Sequence, residues 1–109
     1  MVAVSVRPAS RPASRRHEIC RDSWDPVDTE EDRSTYLPTG IALAATWNPD
    51  AAYRFGTVLG AEARHRGKDV ILGPGINIAR TPLCGRNFEY FGEDPHLIAA
   101  LVAPEIQGI

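Results

Sequence analysis

The residues of this 109-residue chain that could do chemistry are crowded into positions 73–95. Arg80 and Arg86 lie six positions apart, and three acids follow: Glu89, Glu93 and Asp94. A guanidinium presents a planar fork of donors that suits carboxylates or vicinal hydroxyls. We therefore expect one arginine to pair with a loop glutamate while the other serves a ligand. The alternative is that both arginines only tie the loop to itself, since structural ion pairs are common. Asp94 is expected to cap the next helix.

Glycines and prolines shape the backbone around these side chains, in the sequence GPGINIARTPLCGRNFEYFGEDP. Pro82 and Gly85 fix and bend the chain between the two arginines. The stretch follows the apolar run Val70–Leu72 and precedes another apolar segment. This layout predicts a long functional loop between a strand and a helix, because a plain connector rarely needs so many backbone-shaping residues.

Other chemistries find little support in the sequence. Gly73-Pro74-Gly75 lacks the third glycine of a dinucleotide motif, and its proline removes an amide from any phosphate cradle. The histidines have no partners at metal-ligand spacing. Cys84 has no evident base, so we do not expect a nucleophile there, and a free thiol is favoured over a disulfide with Cys20. We expect no metal, no cofactor and no catalytic residue in the chain.

The length and composition of the chain limit the number of domains and the classes of partner. The length allows one small domain at most, and 43% hydrophobic residues is close to the globular average. A net charge of -2 argues against nucleic acid or an anionic membrane as the main partner. No apolar run is long enough to span a bilayer, and none resembles the core of a signal peptide. The cellular compartment and the oligomeric state stay open.

Residues 1–38 differ from the rest. Met1–Arg16 is rich in Arg, Ser, Pro and Ala, contains RPAS twice in tandem and has no acid, whereas Glu18–Arg33 is predominantly acidic. Such segments bury too little apolar surface to offset the entropy of ordering them. We expect a disordered or atypical leader over 1–38, with a transit peptide as an alternative for its first part. The ordered domain is expected over 39–109.

The ordered part is predicted to alternate helix, strand and helix. Asn48-Pro49-Asp50 signals a helix that runs to about Arg66 with Gly67 as its cap, and Asp94-Pro95 signals a second helix, which Pro104 should end or kink. Val70–Leu72 is predicted to be a buried strand, and the alternating Ile76–Ile78 is a candidate extension of its edge. Ile41–Ala45 fits either a strand or a helical turn. The order favours a parallel α/β architecture. A single strand would lack neighbours, so we expect the isolated chain to be aggregation-prone or molten.

A long motif in the loop resembles a known family. GPGINI, Arg80, Pro82, Gly85-Arg86-Asn87-Phe88-Glu89, Phe91 and Glu93-Asp94-Pro95 together look like the N-terminal domain of family 3 glycoside hydrolases, the β-glucosidase group. The upstream PTGIALAATWN and the terminal EIQG fit the same family. The resemblance covers about residues 36–109.

The resemblance implies a fold and a reaction. The fold is a TIM-type (β/α)₈ barrel with its active site at the carboxyl ends of the strands. The reaction is retaining hydrolysis of a terminal β-linked sugar, with a β-glucoside or oligosaccharide as substrate. By the same resemblance, Arg86 would bind hydroxyls of the terminal sugar, while Arg80 and Glu89 would position the loop.

The family's catalytic groups lie elsewhere. Its nucleophile is an aspartate in a Ser-Asp-Trp motif downstream of the matched region, and its acid/base comes from a second domain. A sugar-gripping Asp-Gly-Pro segment has only Trp24-Asp25-Pro26 as its nearest trace here. A barrel needs about 250 residues, so we expect a barrel fragment that is inactive in isolation. The alternative is a truncated, non-catalytic sugar-binding or non-folding fragment.

Overall fold

The computed structural model describes residues 3–5, 18–20, 35–66 and 68–109. Within these ranges the elements follow one another as β1 (Ala3–Ser5), β2 (Glu18–Cys20), α1 (Gly40–Ala44), α2 (Pro49–His65), β3 (Val70–Leu72), a 3-10 turn (Asn87–Glu89) and α3 (Pro95–Gly108). The described part of the chain is therefore a small mixed unit of helices and strands. The apolar run at 41–45 forms the helical turn α1 and not a strand.

Helix α2 begins and ends close to where its local signals predict. The side chain of Asn48 accepts hydrogen bonds from the backbone N–H groups of Asp50, at 2.9 Å, and Ala51, at 3.3 Å. These bonds satisfy two of the amides that every helix start leaves without a partner. Pro49 occupies the first turn, where its missing N–H costs nothing. The predicted cap at Gly67 lies outside the described residues.

Strand β3 has a neighbour on each edge. It pairs in parallel with β2, with Ile19 opposite Ile71, and antiparallel with β1, with Val4 opposite Ile71. The expectation that this strand lacks neighbours is therefore wrong. The three described strands also form a mixed sheet and not the parallel one that the order of elements favoured. The sequence signal failed because both partners are only three residues long and lie in segments whose composition is typical of disorder. The expected continuation at Ile76–Ile78 is also wrong, because these residues form no strand, and the one bridge nearby joins the preceding Gly75 to Tyr90.

Helix α3 starts at the predicted cap and packs along α2. Asp94 accepts a hydrogen bond from the backbone N–H of His96 at 2.8 Å. Ile98 and Leu101 are buried on the inner face of α3. Pro104 was predicted to end or kink the helix, and an end there is wrong, since α3 continues to Gly108. We attribute the continuation to packing against α2, which offsets the hydrogen bond that proline removes.

The core lies between α1, α2, α3 and the end of the long loop. Its buried members are apolar: Leu43, Ala44, Ala52, Phe55, Phe91, Ile98 and Leu101. A second small cluster joins Ala63 of α2 to Ile71 of β3. The helices therefore cover the sheet on the side of Ile71 and hold the two ends of the loop in place.

Two expectations from the sequence cannot be compared in full with the residues that the structure describes. Of the predicted leader 1–38, the structure describes β1, β2 and residues 35–38, and the Trp24-Asp25-Pro26 segment lies outside the described residues. The division into 1–38 and 39–109 therefore stays a prediction. Likewise, the described residues form a β3–loop–α3 unit but not a closed barrel.

Candidate functional site

The loop that carries the two arginines leaves β3 at its carboxyl end and is closed at its base by backbone contacts. Gly75 forms a parallel bridge with Tyr90. Four residues further on, the N–H of Ala79 donates to the carbonyl of Gly92 at 2.9 Å. The segments 75–79 and 90–92 therefore run side by side in the same direction, and residues 80–88 form the part of the loop that connects them.

The segment 80–88 is also tied across its middle. The side-chain amide of Asn87 donates to the carbonyl of Thr81 at 2.7 Å. The N–H of Asn87 itself donates to the carbonyl of Cys84 at 3.2 Å, which closes the turn directly before the 3-10 turn. Because Asn87 follows Arg86 directly, this tie holds the backbone of Arg86 in a defined place.

Arg86 and Glu89 form a bidentate ion pair within the loop. Nε of Arg86 donates to Oε1 of Glu89 at 2.6 Å, and Nη2 donates to Oε2 at 2.6 Å. The two side chains differ in accessibility, with 50% of Arg86 and 15% of Glu89 exposed. The turn Asn87–Glu89 creates the pair by placing the two residues one 3-10 turn apart. The expected pairing of a loop arginine with a loop glutamate is thus present, and the partners are Arg86 and Glu89. The expected division of roles would leave Arg80 for a ligand, whereas the arginine that the family resemblance assigns to the sugar is the paired one, Arg86.

The second arginine lies in a different setting. Arg80 is exposed, and its guanidinium makes no hydrogen bond or ion pair with the described residues. The described residues therefore do not show both arginines tying the loop to itself, and they show no contact through which the side chain of Arg80 would position the loop. Next to the arginines, Leu83 is 91% exposed and Phe88 is 54% exposed. The surface around the ion pair thus offers both donors and apolar area to a ligand.

Two of the loop's acids are already engaged. The carboxylate of Glu89 holds Arg86, and that of Asp94 caps α3. Glu93 lies between them in sequence and is exposed. An acid that accepts strong hydrogen bonds in this way is poorly placed to attack a substrate, and this applies to Glu89 and Asp94.

Sequence reasoning missed two contributors to this site. The first is Asn87, whose amide reaches across the loop, and an isolated asparagine carries no signal for a partner six residues away. The second is Gly40, which stands out in the sequence only as part of the PTGIALAATWN motif. In the structure α1 starts there and lies against the 3-10 turn.

Cys84 is a free, exposed thiol. Among the residues that the structure describes, no group of three or more His, Cys, Asp or Glu side chains is arranged to hold a metal ion. In the same part of the chain, no helix is long and apolar enough to cross a membrane.

Comparison with known proteins places this loop in a family. The model of the glycosyl hydrolase family 3 N-terminal domain matches residues 27–109. Beta-glucosidase BoGH3A of Bacteroides ovatus is 51% identical over 98 residues, which are 90% of this chain and 13% of the relative. Thermostable beta-glucosidase B of Acetivibrio thermocellus is 46% identical over 70% of this chain and 10% of its own length. The chain belongs to glycosyl hydrolase family 3.

Solved structures of related enzymes support the same family assignment. Two structures of beta-glucosidase 3B from Thermotoga neapolitana, one in complex with glycerol and one with glucose, match with a TM-score of 0.65 and 44% identity. Each match covers 73% of this chain and 12% of the other. The chain thus spans between 10% and 13% of the length of these relatives.

Proposed function

We propose that this chain is the sugar-binding part of a retaining β-glycosidase of the β-glucosidase type, an O-glycosyl hydrolase acting on terminal β-linked sugars. The observation that carries the proposal is the bidentate pair between Arg86 and Glu89. The carboxylate lies on the sheltered side and the guanidinium on the accessible side. A guanidinium held in one orientation can donate to neighbouring hydroxyls with little loss of conformational entropy on binding.

Each residue of the pair has a role in this proposal. Arg86 donates to hydroxyls of the terminal sugar, while Glu89 fixes the plane of its guanidinium. Arg80 supplies a second donor on the same segment, 80–88. The complex of the Thermotoga neapolitana enzyme with glucose supports the choice of ligand class, since that enzyme shares 44% identity with this chain over the matched part.

The position of the loop supports a barrel enzyme. In (β/α)₈ barrels the active site is built from loops at the carboxyl ends of the strands. The loop here starts at the carboxyl end of β3, and its far end leads into α3. We propose that β3 and α3 form one strand–helix unit of such a barrel in the complete domain.

The proposal assigns binding, and not bond cleavage, to this segment. Retaining hydrolysis needs a carboxylate nucleophile and a second carboxyl group as acid/base, about 5 Å apart. Glu89 and Asp94 are held by Arg86 and by the start of α3, so neither is offered for these tasks. The nucleophile and the acid/base would come from other parts of the enzyme, and the 109-residue chain alone is expected to hydrolyse no β-glucoside.

A segment exchange tests the proposal. Residues 27–109 replace the matching segment of the Bacteroides ovatus enzyme, with which this chain shares 51% identity. We expect the chimera to hydrolyse a chromogenic β-glucoside and to release the β-anomer first. Glu89→Gln should lower kcat/KM by about ten- to a hundredfold, the loss of one charge-assisted hydrogen bond. Glu93→Gln, the same change at an exposed acid, serves as the matched control.

Two results would overturn the proposal. One is a chimera that folds like its parent but has no activity. The other is an equal loss for Glu89→Gln and Glu93→Gln, which would mean that the ion pair contributes nothing specific. Activity of the isolated 109-residue chain that disappears in Glu89→Gln would overturn the assignment of its acids to binding.

A further inference from the structure

The backbone at Glu89 is approached very closely by two glycines from different parts of the chain. A Cβ atom added to Gly40, at the start of α1, would lie 2.6 Å from the carbonyl oxygen of Glu89 and 3.1 Å from its carbonyl carbon. A Cβ atom added to Gly75, just after β3, would lie 3.0 Å from the same oxygen. The carbonyl of Glu89 therefore sits between two positions where any side chain would push it.

Not every glycine near the ion pair lies this close to another part of the backbone. Gly85 directly precedes Arg86, yet a Cβ atom there would meet nothing within 4 Å. Gly40 differs in that it is buried and its obstacles are backbone atoms, which cannot swing away as the end of a flexible side chain can. The absence of a side chain at Gly40 therefore has a specific steric consequence at Glu89.

We propose that Gly40 and Gly75 act as a backbone clamp, and that this clamp positions the Glu89 carboxylate and, through it, the guanidinium of Arg86. The two glycines are positioning residues and touch no substrate. The claim that the clamp determines the geometry of the ion pair rests only on the short distances from the two glycines to Glu89. Its importance for sugar recognition rests on the function proposed above.

A small displacement of the backbone at Glu89 is enough to connect Gly40 with the ion pair. The ion pair needs two oxygens of Glu89 to meet two nitrogens of Arg86, each at 2.6 Å. Binding sites tolerate displacements of only about 0.5 Å before such geometry degrades. A Cβ atom at Gly40 must move the Glu89 carbonyl by several tenths of an ångström to reach an ordinary contact, because it would otherwise lie at 2.6 Å. The side chain of Glu89 moves together with its backbone.

The Nε–Hε group of Arg86 reports this geometry directly. In the ¹⁵N-labelled chain its NMR signal is identified by its loss in Arg86→Lys. We expect Gly40→Ala to shift the signal towards that of a solvated arginine and to speed its hydrogen exchange about tenfold, as one charge-assisted bond is lost. Gly85→Ala, the same change one residue from Arg86, should leave both the shift and the exchange rate unchanged.

A second variant covers the case in which Gly40→Ala does not fold. Gly75→Ala meets the Glu89 oxygen at 3.0 Å and otherwise a ring atom of Tyr90, also at 3.0 Å, which can rotate aside. It should produce a smaller shift in the same direction. An unchanged Arg86 signal in a folded Gly40→Ala or Gly75→Ala variant, or an equal change in Gly85→Ala, overturns the clamp.

Adding glucose separates the clamp from the proposed function. If both hold, glucose moves the Arg86 signal in the unsubstituted chain and in Gly85→Ala at lower concentration than in Gly40→Ala. If glucose moves no signal while Gly40→Ala still releases the ion pair, the clamp stands and the sugar-binding role of the pair fails.

Discussion

Arg86 donates from Nε and Nη2 to the two carboxylate oxygens of Glu89, and both hydrogen bonds measure 2.6 Å. The arrangement is local, since the partners lie three residues apart in a single 3-10 turn. It is also rigid, because Asn87 between them is tied to Thr81 across the loop. A half-exposed arginine is therefore held in one orientation, which is unusual for a long side chain on a loop.

The first prediction concerns the strength of this pair. In a double-mutant cycle with Arg86→Lys and Glu89→Gln, we expect a coupling free energy of about 1 kcal/mol, at the upper end for an accessible pair because it is bidentate. Urea unfolding of the four proteins measures it. The same cycle on Arg80 and Glu93, which share no described contact, should give no coupling. Coupling of equal size in both cycles contradicts a specific pair.

The second prediction concerns the start of α3. Asp94→Ala removes the acceptor for the N–H of His96 and should lower the free energy of unfolding by about 1 kcal/mol. Asp94→Asn keeps a side-chain oxygen and should retain most of this stability. Thermal unfolding of both variants gives the comparison. Equal destabilisation by Asn and Ala would show that the negative charge, and not the hydrogen bond, matters.

The third prediction concerns the contact between α2 and α3. A Cβ atom at Gly56 would lie 2.9 Å from the carbonyl carbon of Glu105 and still closer to its oxygen, so the helices meet backbone to backbone. Gly56→Ala must separate them and should cost about 1–3 kcal/mol despite the better helix propensity of alanine. Thr57→Ala, at the exposed next position, should change stability by less than about 0.5 kcal/mol. A stabilised Gly56→Ala would contradict the packing.

The fourth prediction compares two leucines. Leu101 is 1% exposed in the core, whereas Leu83 is 91% exposed on the loop. Leu101→Ala should lower the free energy of unfolding by about 2–5 kcal/mol, and Leu83→Ala by less than about 0.5 kcal/mol. Denaturant unfolding measures both. Similar losses in the two variants would mean that Leu83 is covered in solution.

Features set by a few neighbouring residues could be predicted from the sequence. The starts of α2 and α3 follow from an Asn-Pro and an Asp-Pro pair whose side chains cap the first turn. Strand β3 follows from an apolar run that a Gly-Pro-Gly sequence stops. The apolar stripe of α3 at Ile98 and Leu101 follows from helical spacing. The long family motif also identified the family.

Features that depend on distant residues could not be predicted. The pairing of β3 with β1 and β2 joins segments about 50 or more positions apart, and short strands in a polar region carry no periodic signal. The continuation of α3 beyond Pro104 depends on α2. In the loop, the sequence offered two arginines and three acids as candidate partners of an ion pair. Only the 3-10 turn in the structure shows that Arg86 pairs with Glu89.

The central claim is that Arg86, held by Glu89, binds the sugar. The most direct test compares Arg86→Lys with Arg80→Lys in the chimera that carries residues 27–109 in the Bacteroides ovatus enzyme. Both changes keep the charge and remove a guanidinium, but only Arg86→Lys removes a bidentate ion pair. We predict that Arg86→Lys lowers kcat/KM for a β-glucoside by about ten- to a hundredfold and Arg80→Lys by much less. Equal effects of the two substitutions, or no effect of Arg86→Lys, would contradict the account.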